Sequence, residues 1–196
     1  MDTNLPIGLI SFAFVTSITP GPNNLLLMTS GANFGFRRSV PQMLGINLGF
    51  AFLPGICGLG LGTVMASFPA AKTTLKIAAP AYMLWLAWKI EHAAAPGEGK
   101  AAARPMTLWQ SAAFQWVNPK AWAMALGADT ACSGGSLRAA LQAFVVFCLI
   151  NLPCIGTWAA AGEALRHVLT NPNRLALFNW TMAALLVLSL WPVLRF

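Results

Sequence analysis

Long apolar runs separated by short polar joints dominate this chain. No Asp, Glu, Lys or Arg lies between Asp2 and Arg37, between Arg38 and Lys72, or between Arg138 and Glu163. A helix needs about 20 mostly apolar residues to cross the hydrocarbon core of a bilayer, and each of these gaps is long enough. Six candidate spans follow, at residues 5–28, 40–68, 75–90, 108–128, 139–161 and 175–194. The longest polar connection, KIEHAAAPGEGKAAAR at 89–104, has the Pro, Gly and mixed charge of a solvated loop. It divides the chain almost in half. The expectation is one all-α polytopic membrane domain over 1–196, with halves of about 1–92 and 104–196.

The prolines carry a finer pattern. Pro6, Pro20 and Pro54 each find a proline 99 residues later, at Pro105, Pro119 and Pro153. Random placement gives about 0.4 such matches at a given offset, so three at nearly half the chain length point to a duplication. Each half then holds three helices, and an odd number forces the second copy to sit inverted in the membrane. Pro20 and Pro119 interrupt the first helix of each half, within TPGPNN (19–24) and VNPKAW (117–122). Proline removes a main-chain donor and clashes with the preceding turn, and Gly21 is expected to use dihedrals closed to other residues. Broken main chain inside a membrane is tolerated where it is buried in protein or lines a watery cavity. Its freed N–H groups and the positive ends of half-helices suit an anion such as a carboxylate, and matched breaks in two halves point to a transporter's site. Ordinary proline kinks are the plain alternative.

Composition sharpens this picture. Apolar residues make up 57% of the chain and charged residues 9%, against roughly 25% charged in soluble domains. Lys120 therefore stands out as the one charge well inside the fourth span. A lysine at a helix centre is unfavourable by about 2.5–3.5 kcal/mol on insertion scales and usually faces protein or a cavity. Snorkelling, or pairing with Asp129 or a carbonyl, is the competing role. Asn23, Asn24, Asn118, Asn47 and Asn151 are further intramembrane polar groups, the last two as candidate pore-lining residues. Interhelical hydrogen bonding would account for each of them singly.

The net charge of +7 does not indicate nucleic acid, because the basic residues lie singly between apolar runs. Counted by side, Arg37, Arg38, Lys89, Lys100, Arg104, Arg166 and Arg174 face Lys72, Lys76, Arg138 and Arg195 across the membrane. The positive-inside rule then sets both termini outside. The N-terminus lacks the basic region of a cleavable signal, so its first span is expected to be retained. Trp109, Trp180 and Trp191 near span ends suit an interfacial belt. Cys57, Cys132, Cys148 and Cys154 form no CxxC pair, and His92 and His167 form no ligand cluster, so no metal or cofactor is expected. Glycines four apart (Gly31 and Gly35, Gly45 and Gly49, Gly58 and Gly62) allow close helix approach, within one subunit or at a dimer seam.

These residues also resemble a known family. Pro20-Gly21-Pro22 and Asn118-Pro119-Lys120 stand where the LysE/RhtB family of bacterial amino-acid exporters carries the same two motifs. The glycine ladder and AAPAYMLWLAWKI (78–90) are similar too, and the resemblance covers nearly the whole chain. TPGPNN, NFGFRRS (33–39) and YMLWLAWKI look most like the cysteine/O-acetylserine exporter branch. Pro80 is a departure that could bend the third helix. The resemblance implies a non-enzymatic carrier of the bacterial inner membrane, exporting a small neutral amino acid of the cysteine/O-acetylserine or homoserine/threonine type. It further implies proton drive and a homodimer, while the paired breaks set the expected substrate site at Pro20, Gly21, Pro22, Asn23, Asn24, Asn118, Pro119 and Lys120. A metal-cation exporter of a related family, or a non-catalytic membrane subunit, are the alternatives. Cation export would call for intramembrane carboxylates or thiolates, and the carboxylate candidates, Asp129 and Glu163, lie near span ends. Glu163 is the candidate proton carrier only by elimination.

Overall fold

The computed structural model of the chain describes residues 4–57, 69–91, 104–131 and 136–189. These form eight helices and, among the described residues, no strand: α1 (Asn4–Ile18), α2 (Pro22–Phe34), α3 (Phe36–Ile56), α4 (Pro69–Glu91), α5 (Leu108–Phe114), α6 (Pro119–Ala131), α7 (Leu137–Leu165) and α8 (Pro172–Leu188). Two of them, α3 and α7, are long and apolar enough to cross a membrane as single rods. The expected spans at 5–28 and 108–128 are each a pair of helices divided at the prolines, and α2 runs on beyond 28 to Phe34. The third span is longer than expected, since α4 passes through Pro80 without interruption. Residues 58–68, 92–103 and 190–196, with Gly58, Gly62, His92 and Trp191, lie outside the described residues, as does Cys132.

Helix α7 is the central post. It packs against α1, α2 and α3, while α3 also meets α5 and α4 pairs with α8. Small residues set these distances. A Cβ on Gly31 would overlap the Ala159 carbonyl oxygen, and one on Gly162 would overlap that of Met28, so α2 and α7 touch backbone to backbone. Gly45 and Gly49 bring α3 equally close to Leu108 and Ala112 of α5. The glycine ladder thus serves packing within one chain. Phe147 is fully buried and meets Phe12 and Phe50 edge-on, which fills the space between α1, α3 and α7.

Gly35 joins α2 to α3 with φ 86°, a conformation that side chains resist. The turn is closed by the Gly35 N–H donating to the Gly31 carbonyl at 2.9 Å, and by Ser39 Oγ donating to the Gly35 carbonyl at 3.0 Å. Arg37 and Arg38 begin α3 here, Arg166 lies across from Gly35, and Arg104 lines a cavity with Phe34. One end of the molecule therefore gathers arginines. Arg138, at the start of α7, lies at the opposite end. Trp109 and Trp180 are exposed on the outer surface, with Trp109 at 80%.

The α2–α7 contact has no slack for a methyl group, whereas Gly8 has open space around it. Gly31→Ala is expected to lower the unfolding temperature of the detergent-purified protein, at about 1–3 kcal/mol of overpacking. Gly8→Ala should leave it unchanged or raised. An unchanged midpoint for Gly31→Ala would refute backbone-to-backbone packing there.

Candidate functional site

Five consecutive carbonyls, from Thr16 to Pro20, are left without helical partners where α1 ends, the first because Pro20 has no N–H, and Thr19 Oγ1 donates to that one at 3.0 Å. Each is met by a side chain. Asn24 Nδ2 donates to the carbonyls of Ser17 at 2.9 Å and Thr19 at 2.8 Å. Trp158 Nε1 donates to Ile18 at 3.1 Å. Lys120 Nζ donates to the Thr19 carbonyl at 2.7 Å, to Thr19 Oγ1 at 3.1 Å and to the Pro20 carbonyl at 3.2 Å. All three ammonium protons thus have an oxygen, and the cation sits at the negative end of α1. The Asp129 side chain lies outside the described residues.

Gly21 differs from expectation. Its φ of −178° and ψ of 178° are extended main chain that any residue adopts, so no special dihedral requires glycine. Room does. A Cβ at Gly21 would stand 2.6 Å from Lys120 Cδ and 2.9 Å from Nζ. The lysine stem lies directly over the glycine, pinned there by the three hydrogen bonds of its ammonium.

The second break is closed differently. The chain turns at 115–117 and Asn118 caps α6, its Oδ1 accepting from the Lys120 N–H at 3.1 Å. Trp122 Nε1 donates back to the Trp116 carbonyl at 2.8 Å. Pro22 and Pro119 occupy the first turns of α2 and α6, where a missing N–H is harmless. Gln115, fully buried, couples the two breaks. Its Nε2 donates to Asn23 Oδ1 at 3.0 Å while Asn23 Nδ2 donates to its Oε1 at 2.8 Å. A further bond from Gln115 Nε2 to the Ser111 carbonyl fixes the amide's orientation, since a carbonyl can only accept.

Between the breaks lies a small cavity open to one side. Gly21, Asn23, Asn24, Asn118, Lys120 and Asn151 line it, together with Ser17 and Phe50. Pro20 adds its carbonyl to the lysine, whereas the Pro22 and Pro119 rings are not part of the lining. Asn47 stands behind Asn151. Its Nδ2 donates to the Cys148 carbonyl at 3.1 Å, so its Oδ1 takes the Asn151 Nδ2 at 3.0 Å. That relay leaves Asn151 Oδ1 as the amide's acceptor for the cavity. Ser17 Oγ, in a residue 3% exposed, is buried without a partner. Gln115 and Ser17 escape sequence reasoning because an isolated uncharged side chain in an apolar run makes no pattern. Glu163 is exposed near the arginine-rich end, beside Gly35, and is not part of this cavity.

Two broken helices and a lysine around a polar cavity, within an all-helical apolar chain, define a membrane transporter. The sequence model of the LysE type translocator matches residues 14–189, and the chain belongs to that family. It is 35% identical over 184 residues to the cysteine/O-acetylserine efflux proteins of Escherichia coli (strain HS) and Shigella flexneri. The match covers 90% of this chain and 91% of those relatives. No solved structure matches the chain.

Gly21→Ala tests the packing of the lysine. The added methyl should leave the fold intact and push Lys120 off the Thr19 and Pro20 carbonyls, so thermal stability falls and transport drops several-fold. In a Lys120→Met background the same change should lower stability much less, because the clash partner no longer holds a fixed position. Additive effects in the double variant would separate Gly21 from Lys120.

Proposed function

We propose that this protein exports a small neutral amino acid or derivative, of the cysteine/O-acetylserine or homoserine/threonine type, across the bacterial inner membrane. The observation that carries the reading is the Lys120 ammonium, which lies in the cavity between two broken helices and is held by neutral oxygens. A substrate carboxylate offers that ammonium a charged acceptor, and charge-assisted bonds are roughly twice as strong as neutral ones. The first turn of α2, at Asn23 and Asn24, adds N–H groups and the positive end of a helix dipole. A zwitterion completes the exchange. Its own ammonium can take the Pro20 carbonyl that the lysine leaves, with Ser17 Oγ and Asn151 Oδ1 as further acceptors. The names of the similar efflux proteins support the same substrate class.

Six passes of the chain, as two inverted halves, fit this reading. An offset of 99 carries α1 and α2 onto α5 and α6, α3 onto α7 and α4 onto α8, with starts that agree within about five residues, while α7 runs on past the shifted end of α3 to Leu165. The pair α1–α2 runs toward the arginine-rich end, and α5–α6 runs away from it. With that end cytoplasmic, both termini lie in the periplasm. Coupling to the proton gradient and a homodimeric assembly are parts of the proposal that rest on family resemblance.

Lys120→Met keeps the apolar stem and removes the charge, so it is expected to reach the membrane at wild-type levels and to abolish export. The measurement is efflux of labelled O-acetylserine or cysteine from preloaded cells, normalised to membrane protein. Near-wild-type efflux would reduce Lys120 to a structural clamp. Competition probes the zwitterion directly. L-Serine should inhibit this efflux, while ethanolamine and 3-hydroxypropionate, each carrying one of its charged ends, should inhibit at least tenfold less. Equal inhibition by 3-hydroxypropionate would show that a carboxylate alone suffices. Cysteines placed singly by Thr3→Cys and Ala94→Cys in a cysteine-free variant should label from opposite faces of intact cells. Labelling of both from outside would defeat the six-pass arrangement.

A further inference from the structure

A second cavity lies between α2, α3, α4 and the segment leading into α5, at the arginine-rich end. It is continuous with the surface. Asn33, Gln42 and Arg104 line it among apolar side chains such as Leu26 and Leu86. Asn33 and Gln42 are 5% and 2% exposed, yet Asn33 Oδ1 and Gln42 Oε1 have no hydrogen-bond partner. Asn33 cannot escape by turning its amide over. Its Nδ2 donates to the Thr29 carbonyl at 2.9 Å and to Asn179 Oδ1 at 3.2 Å, and the Thr29 carbonyl can only accept. The free atom at Asn33 is therefore fixed as an acceptor. Buried acceptors without partners are unfavourable and rare, so a pair of them in residues that line one cavity marks a place built for a donor.

Arg104 has the opposite character. It is exposed at the same cavity and has no ion pair among the described residues. Its planar fork suits a carboxylate. The cavity thus offers acceptors at its buried wall and a cation at its open side. α2 connects it to the midplane cavity, for Asn23 and Asn24 line one and Asn33 the other, about 15 Å apart along the helix.

We propose that this second cavity is a cytoplasmic entry site for the zwitterionic amino acid, resting on the export reading above. The α-ammonium binds Asn33 Oδ1 and Gln42 Oε1, and the α-carboxylate faces Arg104. The site collects substrate from the cytoplasm before it moves along α2 to Lys120. It is distinct from the Lys120 cavity and has no residue in common with it.

Everted membrane vesicles expose the cytoplasmic face, and labelled O-acetyl-L-serine is the probe. Gln42→Leu and Arg104→Gln should each raise the half-saturating concentration for uptake about tenfold, with the maximal rate within about twofold of wild type. Gln42→Glu keeps the acceptor and should retain or lower the half-saturating concentration, which guards against a mere packing defect. In a cysteine-free background, Phe34→Cys places a thiol on the same cavity wall at a half-buried position, and O-acetyl-L-serine should slow its modification by a small methanethiosulfonate reagent. Unchanged half-saturation in both variants, with no protection of the thiol, overturns the entry site while leaving export intact. Protection of the thiol in vesicles that fail to transport the probe supports the site and sinks the export reading instead.

Discussion

The main-chain carbonyls at the end of α1 need donors, and the rest of this structure arranges itself around supplying them. In water the end of α1 would be solvated, but in hydrocarbon each unsatisfied group is unfavourable by several kcal/mol. The chain meets the need with side chains from three places: Asn24 from the next helix, Trp158 from α7 and Lys120 from the other half of the molecule. Only the last is charged. A lysine placed to satisfy neutral carbonyls holds its stem over Gly21 and carries its charge into the cavity. Structural need and functional capacity meet in one side chain.

The two breaks are satisfied asymmetrically. At the second, Asn118 caps α6 and Trp122 returns to Trp116, so its groups are closed within one segment. At the first, closure depends on α6 and α7, which lie far along the chain. Gln115 and Asn23 tie the breaks together through two reciprocal hydrogen bonds, Gln115 being oriented by the Ser111 carbonyl, which can only accept, and Asn23 by Gln115 in turn. Neutral amides therefore form the rigid frame of the cavity, and the ammonium is the element with alternatives.

Much of this was legible in the residues. The helical class and the location of both breaks follow from proline's missing donor and from apolar runs too long for a soluble core. Other features are invisible one residue at a time. Gly21 reads as a conformational glycine, yet its dihedrals are ordinary and its smallness serves a lysine 99 positions away. The spacing of Gly45 and Gly49 announces a close helix contact but not its partner, which is Leu108 and Ala112. Lys120 reads either as a cation awaiting an anion or as one paired with Asp129 or a carbonyl, and its ammonium is held by two carbonyls and a hydroxyl. Gln115 carries no charge and repeats nothing, so a residue that fixes the geometry of the site leaves no trace in pattern. Sequence periodicity reports which faces are apolar; it does not report which polar atoms find each other across the fold.

A saturated lysine also shapes what the proposed cargo must be. Were the ammonium free, any carboxylate could bind by neutralising it. Because it already bonds to Thr19 and Pro20, an incoming anion gains only the difference between a carboxylate and those neutral acceptors. It also leaves the Pro20 carbonyl without a donor. Asn24 still serves Thr19, so Pro20 is the group at issue. Pro20 is exposed, so freeing its carbonyl offsets only part of the gain from a charge-assisted bond. A simple anion therefore gains less than the full worth of that bond. A molecule that brings its own ammonium beside its carboxylate restores the lost bond and keeps the gain. The polar break thus discriminates in favour of zwitterions without any pocket shaped to a particular side chain, which suits a carrier for several small neutral amino acids.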